Sequence, residues 1–198
     1  MTDATDAVTF DTAMFKEALG RFVTGVTVVT ALEEDQPVGF TCQSFVSLSL
    51  DPPLVALAPA KSSTSWPRIA KAGSLCVNVL ADHQQELCRK FAVSGGDKFA
   101  GVAWHRAESG GAPIIDGSLA WVNCSVELIH DAGDHELVIG RVLDIGLGEG
   151  SPLLFYKSAF NQIVEAVPEP ATAATHTAVQ HPSTPGAPSR PPTEKDGT

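Results

Sequence analysis

Residues 38–61 read VGFTCQSFVSLSLDPPLVALAPAK, two apolar runs separated by an Asp-Pro-Pro corner. Runs of this kind are typical of β-strands, and the corner predicts a turn between them. The same stretch carries hydroxyl, thiol and amide side chains at positions 41–44, 47 and 49. Buried polar groups need hydrogen-bond partners. We therefore expect a polar, planar ligand with a phosphate group to supply those partners.

The pattern of short β-strands continues on both sides of this stretch, up to about residue 165. Apolar and alternating runs predict strands at 26–31, 38–47, 54–58, 75–80, 119–130, 136–146 and 153–156. Polar turns at 33–36 and 131–134 predict hairpins, and residues 104–113 read as an irregular Gly-rich segment. Capping residues predict short helices at 13–20, 66–73 and 82–91. We expect a mainly antiparallel barrel of six to seven strands with a few short helices.

The two ends of the chain differ from this central region. Residues 1–10 lack an apolar pattern, and residues 166–198 contain half of the fourteen prolines and no aromatic residue. Such composition cannot bury enough surface to offset the entropy of ordering. We expect one domain at 11–165 between a disordered N-terminus and a disordered tail.

Composition excludes several classes of protein. The formal charge of −10 argues against nucleic-acid binding, which depends on Lys and Arg. No apolar window is long enough to span a membrane, and the N-terminus has no basic region typical of a signal peptide. The four cysteines form no CxxC pair, so we interpret them as buried thiols in a reducing compartment. The expected location is the cytoplasm.

Two local motifs are weak on inspection. The run GLGEG at 146–150 precedes Ser-Pro and not a helix, so we interpret it as a loop and not as a dinucleotide fingerprint. His130 and His135 flank a two-acid turn, where convergence of four metal ligands is seldom possible. We expect no metal site. His135 opens a strand, and its ring could face a ligand at the rim of the barrel.

The run KSSTSW at 61–66 is the stronger anion signal. Hydroxyl groups and amides at a helix start, beside a lysine, can bind phosphate. Taken alone, the same residues are explained equally well as helix caps. Their combination with the polar strand at 41–49 favours the ligand.

Six stretches together resemble the short-chain flavin reductases, the reductase components of two-component flavin-dependent monooxygenases. They are FVTGVTVVTA (22–31), GFTCQSFVSLSLDPPLV (39–55), KSSTSW (61–66), CVNVLADHQQELCRKFA (76–92), DKFAGV (97–102) and GDHELVIGRV (133–142). The resemblance covers about residues 11–163. It implies a split-barrel FMN-binding fold, a homodimer with flavin at the subunit interface, oxidation of NADH, and release of reduced FMN or FAD to a separate oxygenase.

The resemblance also implies roles for individual residues. The positions expected to line the flavin ring are Phe40, Thr41, Cys42, Gln43 and Ser44. Those expected to hold the ribityl chain and phosphate are Pro59, Ala60, Lys61, Ser65 and Trp66. Those expected near the phosphate or adenylate end are Lys90, Phe91 and Lys98. The implied catalytic residue beside the nicotinamide is His135, with Tyr156 packing nearby.

Other functions remain open on the sequence alone. The same barrel could be a flavin- or haem-binding module without turnover, or an oxidase of the pyridoxamine-phosphate type. The arginines are scattered along the sequence. This weakens the oxidase hypothesis, because an oxidase of this type usually has several arginines at the phosphate of its substrate. Their scatter also favours NADH over NADPH, whose 2′-phosphate needs an arginine cluster. The sequence does not choose between FMN and FAD.

Overall fold

The computed structural model of the chain describes residues 11–164, which are mostly β-strand. The helices are short: α1 (Thr12–Gly20), α2 (Trp66–Ala72) and α3 (Gln85–Ala92), the last preceded by a 3₁₀ turn at Asp82–Gln84. The strands are β1 (Thr24–Gly25), β2 (Thr27–Glu33), β3 (Gln36–Cys42), β4 (Val46–Leu50), β5 (Pro53–Leu57), β6 (Ser74–Val79), β7 (Trp104–Arg106), β8 (Pro113–Ile115), β9 (Ala120–Ala132), β10 (His135–Leu147), β11 (Leu154–Tyr156) and β12 (Ala159–Asn161). The expected fold class, mainly β with a few short helices, is confirmed.

Seven strands form one antiparallel sheet in the order β3-β2-β6-β9-β10-β5-β4. Two small sheets accompany it, β1-β11-β12 and the ribbon β7-β8. Within residues 11–164 no ladder joins the edge strands β3 and β4, although they follow each other in the chain. The long hairpin β9-β10 turns at 133–134, and β2-β3 turns at Glu34-Asp35, as the polar turns predict.

Strand β2 is buried on both faces over residues 27–31, and its two threonines are buried with the apolar side chains. Val29 belongs to a cluster with Trp66 and Ile69 of α2, while Val28 belongs to a cluster with Phe91 of α3. Because neighbouring side chains of a strand point to opposite faces, α2 and α3 pack against different sides of β2. Both helices are thereby held close to β3, at the edge of the sheet.

The expectation of one strand over 38–47 is wrong, because β3 ends at Cys42 and β4 begins at Val46 on the opposite edge of the sheet. The hydroxyl of Ser44 explains the break. It accepts a hydrogen bond from the Ala58 amide (2.8 Å) and donates one to the Ala58 carbonyl (3.1 Å). The Ser44 side chain therefore pairs with the backbone amide and carbonyl of Ala58, just beyond β5. In a continuing strand, the backbone of that strand would have formed these hydrogen bonds.

The expectation of an irregular segment over 104–113 is wrong at both ends, because Trp104–Arg106 and Pro113–Ile115 form the ribbon β7-β8, and only residues 107–112 between them lie outside strands. The buried amide of Asn78 holds this ribbon on the sheet. Its Oδ1 accepts from the Ile115 amide (2.8 Å), and its Nδ2 donates to the Val28 carbonyl (3.1 Å). Contacts from distant residues stabilise the ribbon, so its local sequence does not reveal it.

The N-terminal helix is capped as expected, since the Asp11 carboxylate accepts a hydrogen bond from the Ala13 amide. Its apolar side chains Met14 and Leu19 are both open to solvent. None of the helices within 11–164 is long and apolar enough to cross a membrane. The predictions for residues 1–10 and 166–198 lie outside the described residues.

Candidate functional site

A cavity of about 620 Å³ opens where the end of β3, the segment between β5 and α2, and the end of α3 meet. The first residue of β10, His135, lies at the same cavity. The predicted site residues in its lining are Phe40, Thr41, Cys42, Gln43, Ser44, Pro59, Ala60, Ser65, Phe91, Lys98 and His135. The fold therefore brings together residues that span almost a hundred positions of the chain.

Four predicted residues lie outside this lining. The Lys61 ammonium donates to Asp131 and to the Gly133 carbonyl, and the buried Trp66 indole donates to Glu136. The Lys90 ammonium donates to the Ala100 carbonyl. Tyr156 belongs to strand β11. None of these four side chains is part of the cavity lining.

The cavity lining also includes residues that the resemblance does not assign to the site. They are Ala58, Ser62, Ser63, Thr64, Ala92 and Ser94. The run of hydroxyl residues at 62–65 is visible in the sequence as an anion signal, but the resemblance assigns only Ser65 to the site. Ser94 begins a Gly-rich loop after α3, and its place in the cavity depends on how that loop folds back.

The hydroxyls that suggested a ligand find several of their partners inside the protein. The Thr41 hydroxyl donates to the Cys88 carbonyl (2.7 Å), and that of Ser44 bonds Ala58 as described above. The residues at 47 and 49 lie on the mostly exposed edge strand β4. The argument that a ligand must satisfy these hydroxyls is therefore wrong, although the segment that carries them does line the cavity.

Lys98 gives the cavity its positive charge. Its ammonium contacts the carbonyls of Phe91 (3.1 Å) and Gly39 (3.3 Å) and the Ser65 hydroxyl (3.4 Å). Burial lowers the pKa of Lys98, and within the part of the chain that the structure describes no carboxylate offsets its charge. Among the described residues that line the cavity, none is acidic. A lining of hydroxyls and apolar side chains around one cation fits a planar ring that carries a phosphate.

A second cavity of about 500 Å³ adjoins the first and shares Thr64, Ser65 and Lys98 with it. It is lined in part by the Gly-rich loop at 95–97 and by Arg68. The Lys98 ammonium therefore lies at the boundary of two cavities, where one elongated ligand could reach both.

His135 is held at the rim of the first cavity. Its Nδ1 lies 2.7 Å from the Asp134 carboxylate, and its backbone forms a β-bridge with Ala60. The same hydrogen bond lowers the pKa of Asp134. When Nδ1 carries the hydrogen that faces Asp134, Nε2 is left as an acceptor. The ring can thus offer a polar atom to a ligand in the cavity without itself being buried.

Cys42 lies in the lining as a buried thiol, 3.2 Å from the Ser44 hydroxyl. Burial raises its pKa, so the neutral thiol is the form present at neutral pH. A neutral thiol is a poor nucleophile. Cys42 therefore contributes shape and a weak polar contact to the cavity.

Comparison with known proteins places this site in context. Residues 19–164 match the family described as flavin reductase like domain. The chain is 46% identical over 170 residues to the reductase subunit HsaB of a flavin-dependent monooxygenase from Rhodococcus jostii, covering 84% of this chain and 87% of that one. It is 43% identical over 148 residues to the FMN reductase (NADH) SmoA of Agrobacterium fabrum, covering 75% and 84% respectively.

A solved structure shares the fold as well. The crystal structure of a nitrilotriacetate monooxygenase component B homologue from Mycobacterium thermoresistibile superposes with a TM-score of 0.75 at 43% identity. The similarity covers 82% of this chain and 93% of that one. The family match, residues 19–164, contains every residue that lines the cavity.

Proposed function

The chain belongs to the flavin reductase like domain family. We propose that it reduces FMN or FAD with NADH and supplies the reduced flavin to a separate monooxygenase. The relatives named above are the reductase subunit of such a monooxygenase and an NADH-dependent FMN reductase. The observation that carries the proposal is the cavity itself. It combines the Lys98 cation, a hydroxyl-rich wall and His135 at one rim.

The protein's task in this reaction is to hold two cofactors against each other. Flavin bound here would accept a hydride, so that oxidised flavin, NADH and a proton would yield two-electron-reduced flavin and NAD⁺. We assign the flavin phosphate to Lys98 and the adjacent hydroxyls at 62–65. The amides of residues 43 and 44, which lie outside the strand ladders, are our candidates for donors to the ring.

His135 is our candidate for the residue that contacts the nicotinamide. Its position on the rim leaves the ring within reach of a second ligand that enters over the first. No strong general base is required, because the reaction transfers a hydride between two cofactors. The role of His135 is therefore orientation, which lowers the barrier by keeping the reacting atoms in a near-attack arrangement.

The adjoining cavity leaves both flavins possible. FMN would need only the first cavity, whereas the adenylate of FAD could extend past Lys98 into the second. NADH remains the favoured reductant. Among the described residues no arginine lines the first cavity, and Arg68 in the lining of the second already pairs with Glu33 (2.6 Å).

Exposed apolar side chains support a homodimer, which we include in the proposal. A groove of about 570 Å³ is lined by Phe22, Val23, Phe45 and Val46, and it shares Gln43 and Ser44 with the flavin cavity. A second copy seated on this groove would complete the open side of the flavin site. We further propose a cytoplasmic location and transfer of the reduced flavin by diffusion.

The test is NADH oxidation by the purified protein, followed as loss of absorbance at 340 nm. We expect oxidation that depends on added FMN or FAD, and the flavin with the higher kcat/KM identifies the preferred one. A matched assay with NADPH compares the two reductants. Flavin binding without any turnover would contradict the proposal and favour a non-catalytic binding module.

A further inference from the structure

The turn that carries His135 is fastened to the segment that lines the flavin cavity. Lys61 makes three hydrogen bonds to this turn: its ammonium donates to Asp131 (2.6 Å) and to the Gly133 carbonyl (2.7 Å), and its amide donates to the Asp134 carbonyl (3.0 Å). The side chain therefore points along the hairpin, away from the cavity whose lining includes its neighbour Ala60.

The backbone on both sides of His135 joins the same arrangement. The Glu136 amide donates to the Pro59 carbonyl (3.0 Å), and His135 itself forms a bridge with Ala60. Residues 134, 135 and 136 thus lie in register with residues 61, 60 and 59. A short piece of antiparallel pairing links the cavity wall to the start of β10.

A side-chain contact beside His135 strengthens this link. The Trp66 indole, which is only 3% exposed, donates to the carboxylate of Glu136. Trp66 opens helix α2 and packs in the core, so its position is fixed independently of the hairpin. We call these contacts of Pro59, Lys61 and Trp66 with residues 131–136 the clamp.

We propose that Lys61 is a positioning residue that acts through His135: its ammonium holds the turn 131–134 so that His135 faces a nicotinamide bound over the flavin. This inference rests on the proposed function. It differs from the role that the resemblance implies for Lys61, which is contact with the flavin phosphate. We assign the phosphate contact to Lys98 instead, because Lys98 lines the cavity and Lys61 does not.

The strength of the ion pair sets the size of the expected effect. Asp131 is 80% exposed, and exposed ion pairs add little to stability. Its pairing with Lys61 nevertheless lowers the pKa of Asp131, and loss of the ammonium also leaves the Gly133 carbonyl without this donor. We therefore expect local loosening of the turn and a nearly unchanged global stability.

The experiment compares Lys61→Met, Lys61→Arg and Lys71→Met with the wild type. Lys71 is the matched control, because its ammonium also bonds the acids of a hairpin turn, Glu33 and Glu34, but far along the chain from His135. We expect Lys61→Met to raise KM for NADH by about 3- to 10-fold, since misplacement of a positioning group weakens productive binding. The dissociation constant for flavin, measured by fluorescence without NADH, should stay within about twofold.

Two further readouts separate positioning from other roles. Hydrogen exchange of residues 131–137 should become faster in Lys61→Met and stay unchanged in Lys71→Met, whereas Lys61→Arg should restore both exchange and KM in large part. In a His135→Ala background, Lys61→Met should raise KM for NADH no further. That result would show that Lys61 acts through the imidazole.

The outcomes that overturn the inference are distinct from failure of the proposed function. Weaker flavin binding in Lys61→Met with an unchanged KM for NADH would make Lys61 a flavin ligand. Faster exchange with unchanged kinetics would reduce the clamp to a purely structural contact. If the wild type does not oxidise NADH at all, the proposed function fails, and with it the assignment of a catalytic purpose to the clamp.

Discussion

At the scale of single residues, His135 links the flavin cavity to the proposed nicotinamide site. It is the first residue of β10, its backbone pairs with Ala60 of the cavity wall, and its Nδ1 faces Asp134. These contacts orient a ring that would otherwise rotate freely at an exposed turn. A side chain oriented in this way can select one arrangement of the nicotinamide.

Substitution of His135 tests this role directly. We expect His135→Ala to lower kcat/KM for NADH by about 10- to 100-fold, because an orienting contact is lost while flavin binding is retained. His130→Ala is the control, since His130 lies on the same hairpin opposite Leu137 and outside the cavity lining. Steady-state kinetics within twofold of the wild type for His135→Ala would contradict the role.

At the scale of secondary-structure elements, the close packing of β3 against α3 forms one wall of the cavity. Gly39 of β3 lies directly under the ring of Phe91, and a Cβ atom at this position would come within 2.8 Å of that ring and 2.9 Å of the Val29 carbonyl. Phe91 in turn packs edge-to-face on Phe99, with ring centroids 5.0 Å apart. Because Gly39 has no side chain, the ring of Phe91 can pack directly on β3. This contact fixes the position of the aromatic wall.

Gly39→Ala should disturb both stability and the cavity. We expect a loss of about 1 to 3 kcal/mol in the free energy of unfolding, since the added methyl group overpacks a tight contact. Displacement of Phe91 should also weaken flavin binding. Urea unfolding and flavin titration measure the two effects.

Gly20→Ala is the matched control for that experiment, because a Cβ atom at Gly20 comes no closer than 4.0 Å to a neighbour and Gly20 lies outside the groove. It should change the free energy of unfolding by no more than about 0.5 kcal/mol. Equal destabilisation by the two substitutions would mean that the contact with Phe91 is not the cause.

At the scale of the whole molecule, much apolar surface remains exposed on residues 11–164. Leu50, Leu147 and Phe22 are 90%, 89% and 75% exposed, and Phe22 lines the groove beside the flavin cavity. Apolar side chains gathered in an exposed groove mark interaction surfaces. The proposed dimer would cover Phe22 and would give the flavin site a second wall.

Phe22→Glu should dissociate the dimer, since it places a charge in an apolar interface. Sedimentation velocity of the full chain should show a dimer for the wild type and a monomer for the variant. Val93→Glu is the control, because Val93 is also apolar and exposed but lies outside the groove. A wild-type monomer at micromolar concentration, or a Phe22→Glu variant that remains dimeric, would contradict this interface.

Local patterns in the sequence predicted most of the strands, their hairpin turns and both ends of helix α2. The resemblance of whole motifs, and not any local pattern, predicted that residues 40–44, 59, 60, 65, 91, 98 and 135 meet. The failures have a common cause. The break at 43–45 and the ribbon β7-β8 depend on side chains of Ser44 and Asn78 that bond residues far away in the chain.

Hydrophobic periodicity and turn chemistry were enough to predict the class of fold, because they act over a few neighbouring positions. The resemblance of whole motifs named most of the residues that line the cavity. The direction of each side chain depends on the folded protein. Lys61 and Lys98 are both lysines beside polar segments, yet one bonds the hairpin at 131–134 and the other lines the cavity. That difference arises because the partners of each ammonium come from other strands and helices, brought within reach only by the folded sheet.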